Sequence, residues 1–372
     1  MHASTGECIL QMPWPRTVIN RRRFLHDSLL ATASLSLLPV TVASGEVPSQ
    51  DEPVSFDLHA HPGASFNKGR PEYLGDAAIV KTVAGMRDAR LTGAFFSLVA
   101  DAPLIELTPT GVVTRGAYAA GDGEREYRRQ LTILKELLKT TSAFLATKSS
   151  DLLRAQREQQ VAAFLACEGG EFLDGKPERV GQLYADGVRC LQLVHYVPNV
   201  LGDLQTQPPQ HGGLSALGNA VVKRATAAGM VIDVAHASFD TVRDVASRTS
   251  APIILSHSIL KIDDSRPLAA RAISVEHAKL VAKTGGVIGA WPSGFNASFD
   301  EFVDNTKRLV DVIGIDHVGL GTDMDGNFKP VLSSYAQLKE WAAALQAKGF
   351  TRAEVAKVMG GNMQRVLTQV IG

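Results

Sequence analysis

The stretch from Gly229 to Ser258 constrains the fold of this chain most strongly, because two apolar runs flank about fifteen residues of helical pattern. The runs Met230–Val234 and Pro252–Leu255 predict neighbouring strands of a parallel sheet, joined by a helix. Each run leads into a histidine, His236 or His257. Because α/β folds bind ligands at the carboxyl ends of parallel strands, we expect both histidines at the functional edge of the sheet.

The same alternation of strand and helix runs along the chain. Eight strands are predicted: 54–58, 93–99, 163–166, 188–194, 230–234, 252–255, 286–290 and 317–321. Helices are predicted at 76–89, 124–144, 180–185, 217–228, 239–247, 275–283, 299–312 and 335–347, with a last one at 352–370. This count, without a G-x-G-x-x-G after the first strand, favours one α/β domain with a (β/α)8 TIM barrel over a doubly wound sheet. The longer segments Asp101–Gly123 and Pro198–Gly213 are then loops that wall the active site.

Composition indicates a globular protein that acts on a small molecule. The 372 residues are 45% hydrophobic, and Lys+Arg equals Asp+Glu at 38 each. Balanced charge argues against a nucleic-acid surface or a polybasic membrane patch. We therefore expect a small-molecule substrate as the main partner, and no nucleic acid.

The first 43 residues have the pattern of an export signal. Arg21, Arg22, Arg23, Phe24 and Leu25 are followed by a charge-free run from 28 to 45. This resembles a twin-arginine signal, in which two arginines, any residue and Phe-Leu precede the apolar stretch. A membrane anchor is the alternative, but the run is short for a span and contains Ser, Thr and Pro. We expect residues 1–43 to be removed, leaving residues 44–372 as one periplasmic or otherwise exported domain that is not inserted in the membrane.

Two cysteines belong to the predicted mature chain. Cys167 and Cys190 both lie within apolar runs, which favours two buried thiols. A disulfide is the alternative in an oxidising compartment, if the two strands are neighbours.

Six of the eight predicted strands end in residue types that bind metals: His59 and His61, Glu168, His195, His236, His257 and Asp323. Residues two apart on a strand point the same way, so both histidines of the first pair can face the barrel axis. Imidazoles with carboxylates suit Zn²⁺ and related ions.

This set is too large for one tetrahedral ion, and a carboxylate such as Glu168 can bridge two ions. We infer a two-metal site that holds a water between the ions, with the water's pKa lowered from 15.7 to about 7. Such a centre hydrolyses amides, esters or phosphoesters.

Several motifs together resemble the membrane (renal) dipeptidase family, dinuclear zinc peptidases with a metal-dependent hydrolase (amidohydrolase-like) barrel. The resemblance runs from residue 54 to residue 370. Its motifs are CEGG at 167–170, GVRCLQLVH at 187–195, HGGLSALG at 211–218, the stretch 229–258, RAIS with VAKTGGVIG within 271–289, HVGLGTDMDG at 317–326 and GGNMQRVL at 360–367. The implied activity is hydrolysis of dipeptides with two zinc ions per chain, and family members are often homodimers.

The resemblance also implies a role for each site residue. Glu168 would bridge the metals, His236 and His257 would hold one zinc, and His59 with Asp323 would hold the other. Asp323 would also carry the proton. His195 would polarise the scissile carbonyl, and Arg271 would pair with the carboxylate of the substrate.

One position departs from the family, which usually has His-x-Asp after the first strand where this chain has His59-Ala60-His61. The change replaces an anionic ligand by a neutral one, although His61 can still bind zinc. The departure, together with the divergent loops 64–73 and 101–123, leaves open another amidohydrolase activity on N-acyl amino acids, cyclic amides or lactones. A metal-binding barrel without turnover is a further alternative. Arg266 lies close enough in sequence to Arg271 to be an alternative carboxylate-binding residue.

Other polar residues near the strands are predicted to have structural roles. Asp57 and Asp233 lie within strands, and Asp325 is expected to shape the loop after the last strand. The remaining histidines, which receive no catalytic role, are His211, His277 and His317.

Overall fold

The computed structural model describes residues 53–108 and 111–372. The predicted signal at residues 1–43 lies outside this range. The described strands are β1 (Phe56–Ala60), β2 (Gly93–Val99), β3 (Ile105–Thr108), β4 (Gly111–Thr114), β5 (Ala143–Leu145), β6 (Val161–Glu168), β7 (Val188–Gln192), β8 (Val231–Asp233), β9 (Ile254–Ser258), β10 (Val287–Ala290) and β11 (Val318–Leu320).

Eight parallel strands close into a barrel, which confirms the predicted fold. The sheet runs β2-β1-β11-β10-β9-β8-β7-β6, and β6 pairs with β2 to complete the ring. The short strand β5 pairs in parallel with the beginning of β6, and β3 and β4 form a separate antiparallel hairpin. Consecutive strands of the ring therefore place their carboxyl ends at one rim.

The interior of the barrel is filled by apolar side chains, so it is a packed core. Phe56 and Phe95 meet edge to face with ring centroids 5.2 Å apart. Met363, Val366 and Leu367 of the last helix belong to the same buried cluster. The C-terminal helix thus packs against the barrel interior, and the opposite rim is left for polar groups.

The described helices are α1 (Asp76–Asp88), α2 (Asp122–Leu138), α3 (Asp151–Glu158), α4 (Val180–Ala185), α5 (Ala216–Ala227), α6 (Phe239–Ala246), α7 (Val275–Lys283), α8 (Phe299–Ile313), α9 (Leu338–Ala347), α10 (Arg352–Ala356) and α11 (Asn362–Ile371). Several begin at a serine whose hydroxyl accepts a hydrogen bond from the first turn. Ser238 and Ser274 cap α6 and α7 in this way. Within the described ranges, no helix has the length and apolar character that a membrane span requires.

The structure differs from the predicted elements mainly between barrel strands. The predicted helix 124–144 ends at Leu138, and Ala143–Leu145 form β5 instead. Helix α3 and the hairpin β3–β4 were not predicted. The last helix is interrupted near Gly360, where a Cβ would lie 2.5 Å from the carbonyl oxygen of Val54. Glycine there permits close contact between the C-terminal segment and the start of β1.

Cys167 and Cys190 are buried free thiols, as the apolar runs favoured. They lie on adjacent strands, but Cys167 is paired with Leu191, so Cys190 is offset by one residue. Side chains alternate along a strand, and the two cysteines accordingly belong to different apolar clusters. The disulfide alternative is therefore not formed.

Candidate metal centre

All the predicted metal ligands meet at the carboxyl rim of the barrel. His59 and His257 lie within β1 and β9, and Glu168 is the last residue of β6. His61, His195, His236 and Asp323 follow their strands within a few residues. All seven of these residues are buried, and at most 8% of the surface of each is exposed.

One set of ligand atoms gathers around the two histidines of the first strand. The Nε2 atoms of His59 and His61 are 3.1 Å apart. Asp323 Oδ1 lies 3.2 Å from His61 Nε2. Glu168 approaches both rings, with Oε1 3.2 Å from His59 Nε2 and Oε2 3.4 Å from His61 Nε2.

A second set of ligand atoms also lies close to Glu168. The Nε2 atoms of His236 and His257 are also 3.1 Å apart. Glu168 Oε1 lies 3.6 Å from His236 Nε2 and 3.3 Å from His195 Nε2. Glu168 therefore stands between two pairs of imidazoles, as a bridging carboxylate must.

These separations fit divalent metal ions. Two nitrogens bound to one tetrahedral Zn²⁺, at about 2.0–2.1 Å each, lie about 3.3 Å from one another. Both histidine pairs have this spacing to within a few tenths of an ångström. Ligand atoms of His59, His61 and Asp323 lie within 4.8 Å of one another, and so do those of His59, Glu168 and His257. The donor set thus suits two ions.

Neighbouring groups orient the imidazole rings. The carbonyl oxygen of Ser97 lies 3.2 Å from His61 Nδ1, which can donate to it and leave Nε2 free for a metal. The hydroxyl of Ser256 is 3.0 Å from His257 Nδ1 and 3.2 Å from His59 Nδ1. His236 Nδ1 is buried without a hydrogen-bond partner among the described residues.

Two of the ligands adopt a left-handed backbone conformation. His236 has φ +66° and Asp323 has φ +53°. Non-glycine residues rarely adopt this region, and such residues concentrate at functional sites. The Asp323 amide also donates a 2.8 Å hydrogen bond to the carbonyl of His59. This bond joins the turn after β11 to the ligand-bearing end of β1.

The electrostatics favour the metal-binding protonation states of Glu168, His236 and His257. At His59, burial would lower the pKa, but the charge of Glu168 raises it. Burial alone would raise the pKa of Glu168, but the imidazoles of His195, His59 and His61 hold it well below its usual range. Burial lowers the pKa of both His236 and His257, and nearby positive charges lower it further. Glu168 is therefore an anion and these two imidazoles are neutral.

Asp101 is the closest partner of His195, although the search for functional residues at the ends of the predicted strands did not include it. Its Oδ1 lies 2.6 Å from His195 Nδ1, and its Oδ2 accepts hydrogen bonds from the amides of Tyr196 and Val197 at 3.0 and 2.9 Å. Asp101 is completely buried. Burial would lower the pKa of His195, but the charges of Asp101 and Glu168 raise it to about 9. Since Asp101 accepts from Nδ1, the Nε2 atom of His195 points to the metal centre.

Arg271 is buried close to the centre with unused donors. One Nη1 hydrogen bond goes to the side-chain oxygen of Gln205, while Nε and Nη2 have no partner in the part of the chain described. Its guanidinium carbon lies 5.5 Å from the ring centroid of Trp291, and the phenol of Tyr196 interacts with it. Tyr196 and Trp291 line the central cavity, whereas Arg271 lies behind them.

Arg266 is already occupied by another partner. Its two terminal nitrogens donate to both carboxylate oxygens of Glu301, at 3.0 and 2.8 Å. The alternative that Arg266 replaces Arg271 in binding a carboxylate is therefore disfavoured.

A cavity of about 620 Å³ opens above the metal ligands. The predicted loop 101–123 contributes to its wall through Ala102, Pro103, Ile105, Glu106, Gly111 and Val112. The other long loop, 198–213, contributes none of the lining residues. This loop contributes instead through Gln205, whose side-chain oxygen accepts a hydrogen bond from Arg271.

The polar residues with predicted structural roles do have them. Asp57 accepts from the amide of Thr322 and from the phenol of Tyr335, which joins β1 to the turn after β11. Asp233 accepts from the amides of Ala235 and Ser256. The others are held as follows: Asp325 by the amide of Gly63 and the hydroxyl of Thr82, His211 by the carbonyl of Asn199, His317 by the carbonyl of Gly286, and His277 by burial beside Phe239.

An eight-stranded parallel barrel with buried histidines and carboxylates at its carboxyl rim defines the class of amidohydrolase-like barrel proteins. Within that class, the chain belongs to the membrane dipeptidase family, peptidase family M19, which it matches over residues 50–371.

Two relatives are named dipeptidases. The dipeptidase verJ of Clonostachys rogersoniana is 28% identical over 256 residues, which cover 66% of this chain and 65% of that protein. The dipeptidase tcpJ of Claviceps purpurea (strain 20.1) is 28% identical over 260 residues, which cover 66% of this chain and 60% of that protein. The matched region thus spans less than two thirds of these relatives.

Among solved structures, the fold is similar to that of a metallo peptidase from Rhodobacter sphaeroides liganded with a phosphinate mimic of the dipeptide L-Ala-D-Ala. The TM-score is 0.75 at 17% identity, and the match covers 86% of this chain and 100% of that chain. At this level of identity, the likeness shows the fold.

Proposed function

We propose that the protein is a zinc-dependent dipeptidase that holds two metal ions at the carboxyl rim of its barrel. The observation that carries the proposal is the position of Glu168 between two histidine pairs, each with Nε2 atoms 3.1 Å apart. Membership of the membrane dipeptidase family supports the substrate class. The relatives named dipeptidases point the same way.

In this proposal the ligands divide between two ions. Glu168 would bridge them, His236 and His257 would hold one ion, and His59, His61 and Asp323 would hold the other. Divalent cations held there supply Lewis acidity and lower the pKa of water at the site. The donor set of imidazoles and carboxylates suits zinc.

The remaining groups orient the substrate and move its protons. The free carboxylate of a dipeptide binds the two unpartnered N–H groups of Arg271, a pairing that a guanidinium can make with two hydrogen bonds. Tyr196 must move aside for this contact, because its phenol lies beside the guanidinium. The Nε2 atom of His195 donates to the scissile carbonyl oxygen. Asp323 carries the proton to the departing amine.

A second candidate function has a specific observation in its favour. His61 is neutral where the resemblance leads one to expect an aspartate, so the site has one carboxylate fewer to attract the ammonium group of a dipeptide. An amidohydrolase acting on N-acyl amino acids, cyclic amides or lactones would not need that attraction. A barrel without turnover is disfavoured, because a barrel that had lost its activity would be expected to have lost at least one of Glu168, His236, His257 and Asp323, and all four belong to the buried ligand groups.

The test measures metal content and turnover together. We expect about two zinc ions per chain and hydrolysis of L,L or L,D dipeptides. Glu168→Gln should lose both metal and activity. Glu171→Gln is the matched control, because Glu171 is a nearby acidic residue that accepts from Asn199 and lies outside the ligand sets. Two metals with turnover of N-acyl amino acids but not of dipeptides would support the second candidate, and no metal would refute both.

We also propose that the chain is exported through its twin-arginine segment. The arrangement of Arg21, Arg22, Phe24 and Leu25 before an apolar run supports this. Replacing both Arg21 and Arg22 by lysine should retain a fusion of residues 1–43 to a reporter inside the cell. Replacing only Arg23 by lysine should still allow export of the fusion. Equal export of the two variants would contradict the proposal.

A further inference from the structure

The order of strands fixes the direction in which a bound substrate extends. Arg271 lies in the loop after β9, which is the sixth strand around the ring that starts at β1. The second strand of that ring is β2, and in a ring of eight the second and sixth positions are opposite. A substrate with its carboxylate at Arg271 and its scissile bond at the metal centre therefore directs its N-terminal half towards the loops after β1 and β2.

The wall on that side of the cavity is largely apolar. Phe66 and Pro71 come from the loop after β1, and Pro103, Ile105 and Val112 come from the segment after β2. None of these side chains can recognise a charge. A cavity of about 620 Å³ also falls within the range of about 300–1,000 Å³ that holds drug-sized ligands. The space on this side therefore suits a large apolar group.

The apolar wall begins at the metal centre itself. The ring of Phe66 meets the ring of His61 edge to face, with centroids 5.3 Å apart. Arg129 holds this loop through hydrogen bonds of 2.6 Å to the carbonyls of Phe66 and Lys68. The backbone of the loop that carries Phe66 is thus held in place beside His61.

The charged groups of the same wall are engaged elsewhere. Arg70 donates to Glu126 at 3.3 Å, and Glu106 forms an ion pair with Arg115. Glu72 lies at the exposed outer edge. Arg70 and Glu106 thus have partners without a substrate, and apolar residues make up most of the wall.

We propose that this wall is a specificity subsite for a bulky apolar side chain on the N-terminal residue of the substrate. The inference rests on the proposed dipeptidase function and names its substrate class: dipeptides such as Leu-Ala or Phe-Ala, in preference to Gly-Ala or Asp-Ala. Burial of one such side chain stabilises a complex by about 1.5–3 kcal/mol, equivalent to roughly 10–150-fold in affinity or in kcat/KM.

Adjacent residues of β4 provide a matched pair of variants. Val112 lines the cavity, whereas Val113 points away from it and is 43% exposed. Val112→Asp should lower kcat/KM for Leu-Ala at least tenfold and lower it less for Gly-Ala, so that the preference for leucine is lost. Val113→Asp should change neither. Ile105→Ser serves as a second variant of the wall if Val112→Asp unfolds the hairpin.

Turnover by the metal-loaded enzyme and binding of analogues separate the two proposals. Phosphinate analogues of Leu-Ala and Gly-Ala are titrated calorimetrically, beside kcat/KM for the parent dipeptides. A preference of at least tenfold for leucine, lost in Val112→Asp but kept in Val113→Asp, supports the subsite. Preferential binding without turnover keeps the subsite and refutes the dipeptidase function. Turnover or binding with no preference, equal effects of the two variants, or no binding of either analogue overturns the subsite.

Discussion

Replacing Asp101 by asparagine should impair catalysis through His195 alone. The amides of Tyr196 and Val197 both donate to Asp101 Oδ2, so an asparagine would keep its single oxygen towards them. Its NH₂ group would then face His195 Nδ1, which now makes a 2.6 Å hydrogen bond to the carboxylate. The imidazole would lose its charged partner and would have to present an unprotonated Nδ1.

The expected loss follows from the strength of that hydrogen bond. A bond to a charged group contributes about 1.5–3 kcal/mol, which corresponds to roughly 10–150-fold in rate. We expect kcat to fall by this factor, while zinc content stays unchanged and KM changes less than about threefold. Because the charge of Asp101 raises the pKa of His195, its removal should also shift the alkaline limb of the pH profile to lower pH. Bound cations lower this pKa in both proteins, so the direction of the difference remains.

A double-mutant cycle tests whether the effect runs through His195. In a His195→Ala background, Asp101→Asn should cost little more, because a residue that acts only by orienting the imidazole has nothing left to orient. If Asp101→Asn reduces kcat by the same factor in both backgrounds, or releases zinc, then Asp101 supports the fold and the reasoning is wrong. Matched melting temperatures of the single variants exclude simple unfolding.

Three further predictions follow from the packing. Gly326→Ala would place a Cβ 2.5 Å from the His61 ring and should weaken zinc binding about 10–100-fold. Gly181→Ala is the control and should not weaken it, because no atom lies within 4 Å of the added Cβ. Equal zinc affinities of the two variants would contradict the prediction. Burial lowers the pKa of His277 from its ordinary 6.5 to about 4, so the free energy of unfolding falls as the pH drops through this interval. His277→Leu should reduce this pH-dependent loss of stability by up to about 3 kcal/mol, as measured by urea titrations at pH 7 and pH 4. The same pH-dependent loss in the variant and the parent protein would refute the prediction. Tyr335→Phe deletes the 2.7 Å hydrogen bond to the buried aspartate of β1 and should lower the free energy of unfolding by about 1–3 kcal/mol, visible as a lower urea midpoint.

The candidate metal ligands could be predicted because barrel geometry converts sequence position into spatial position. A residue at the carboxyl end of any barrel strand lies at one rim, so His59, Glu168 and His257 needed no knowledge of long-range contacts. His61 followed from the alternation of side chains along a strand. The rule also tolerated small errors in strand boundaries, since His236 and Asp323 lie three residues beyond their strands.

The residues that were missed depend on contacts between loops. Asp101 follows β2 by two residues, so the strand-end rule could have included it, but nothing local marks its partner 94 residues away. The hairpin β3–β4 could have been inferred from its apolar residues around Pro109 and Gly111. That Val112 faces the cavity depends on how the hairpin folds over the rim, which no local pattern fixes.

The site accommodates the histidine at position 61, where the family usually has an aspartate. The ring has a backbone carbonyl for Nδ1, an aromatic neighbour in Phe66, and space that exists only because residue 326 is glycine. If residue 61 had lost its role as a ligand, these three features would not be expected to persist. With two divalent cations bound, their four charges would face two carboxylates, and the centre would have a surplus of two positive charges before water loses a proton. Such a surplus strengthens the attraction for a substrate carboxylate and weakens it for an ammonium group. The same histidine therefore makes the apolar contacts of the N-terminal side chain more important for selecting the substrate.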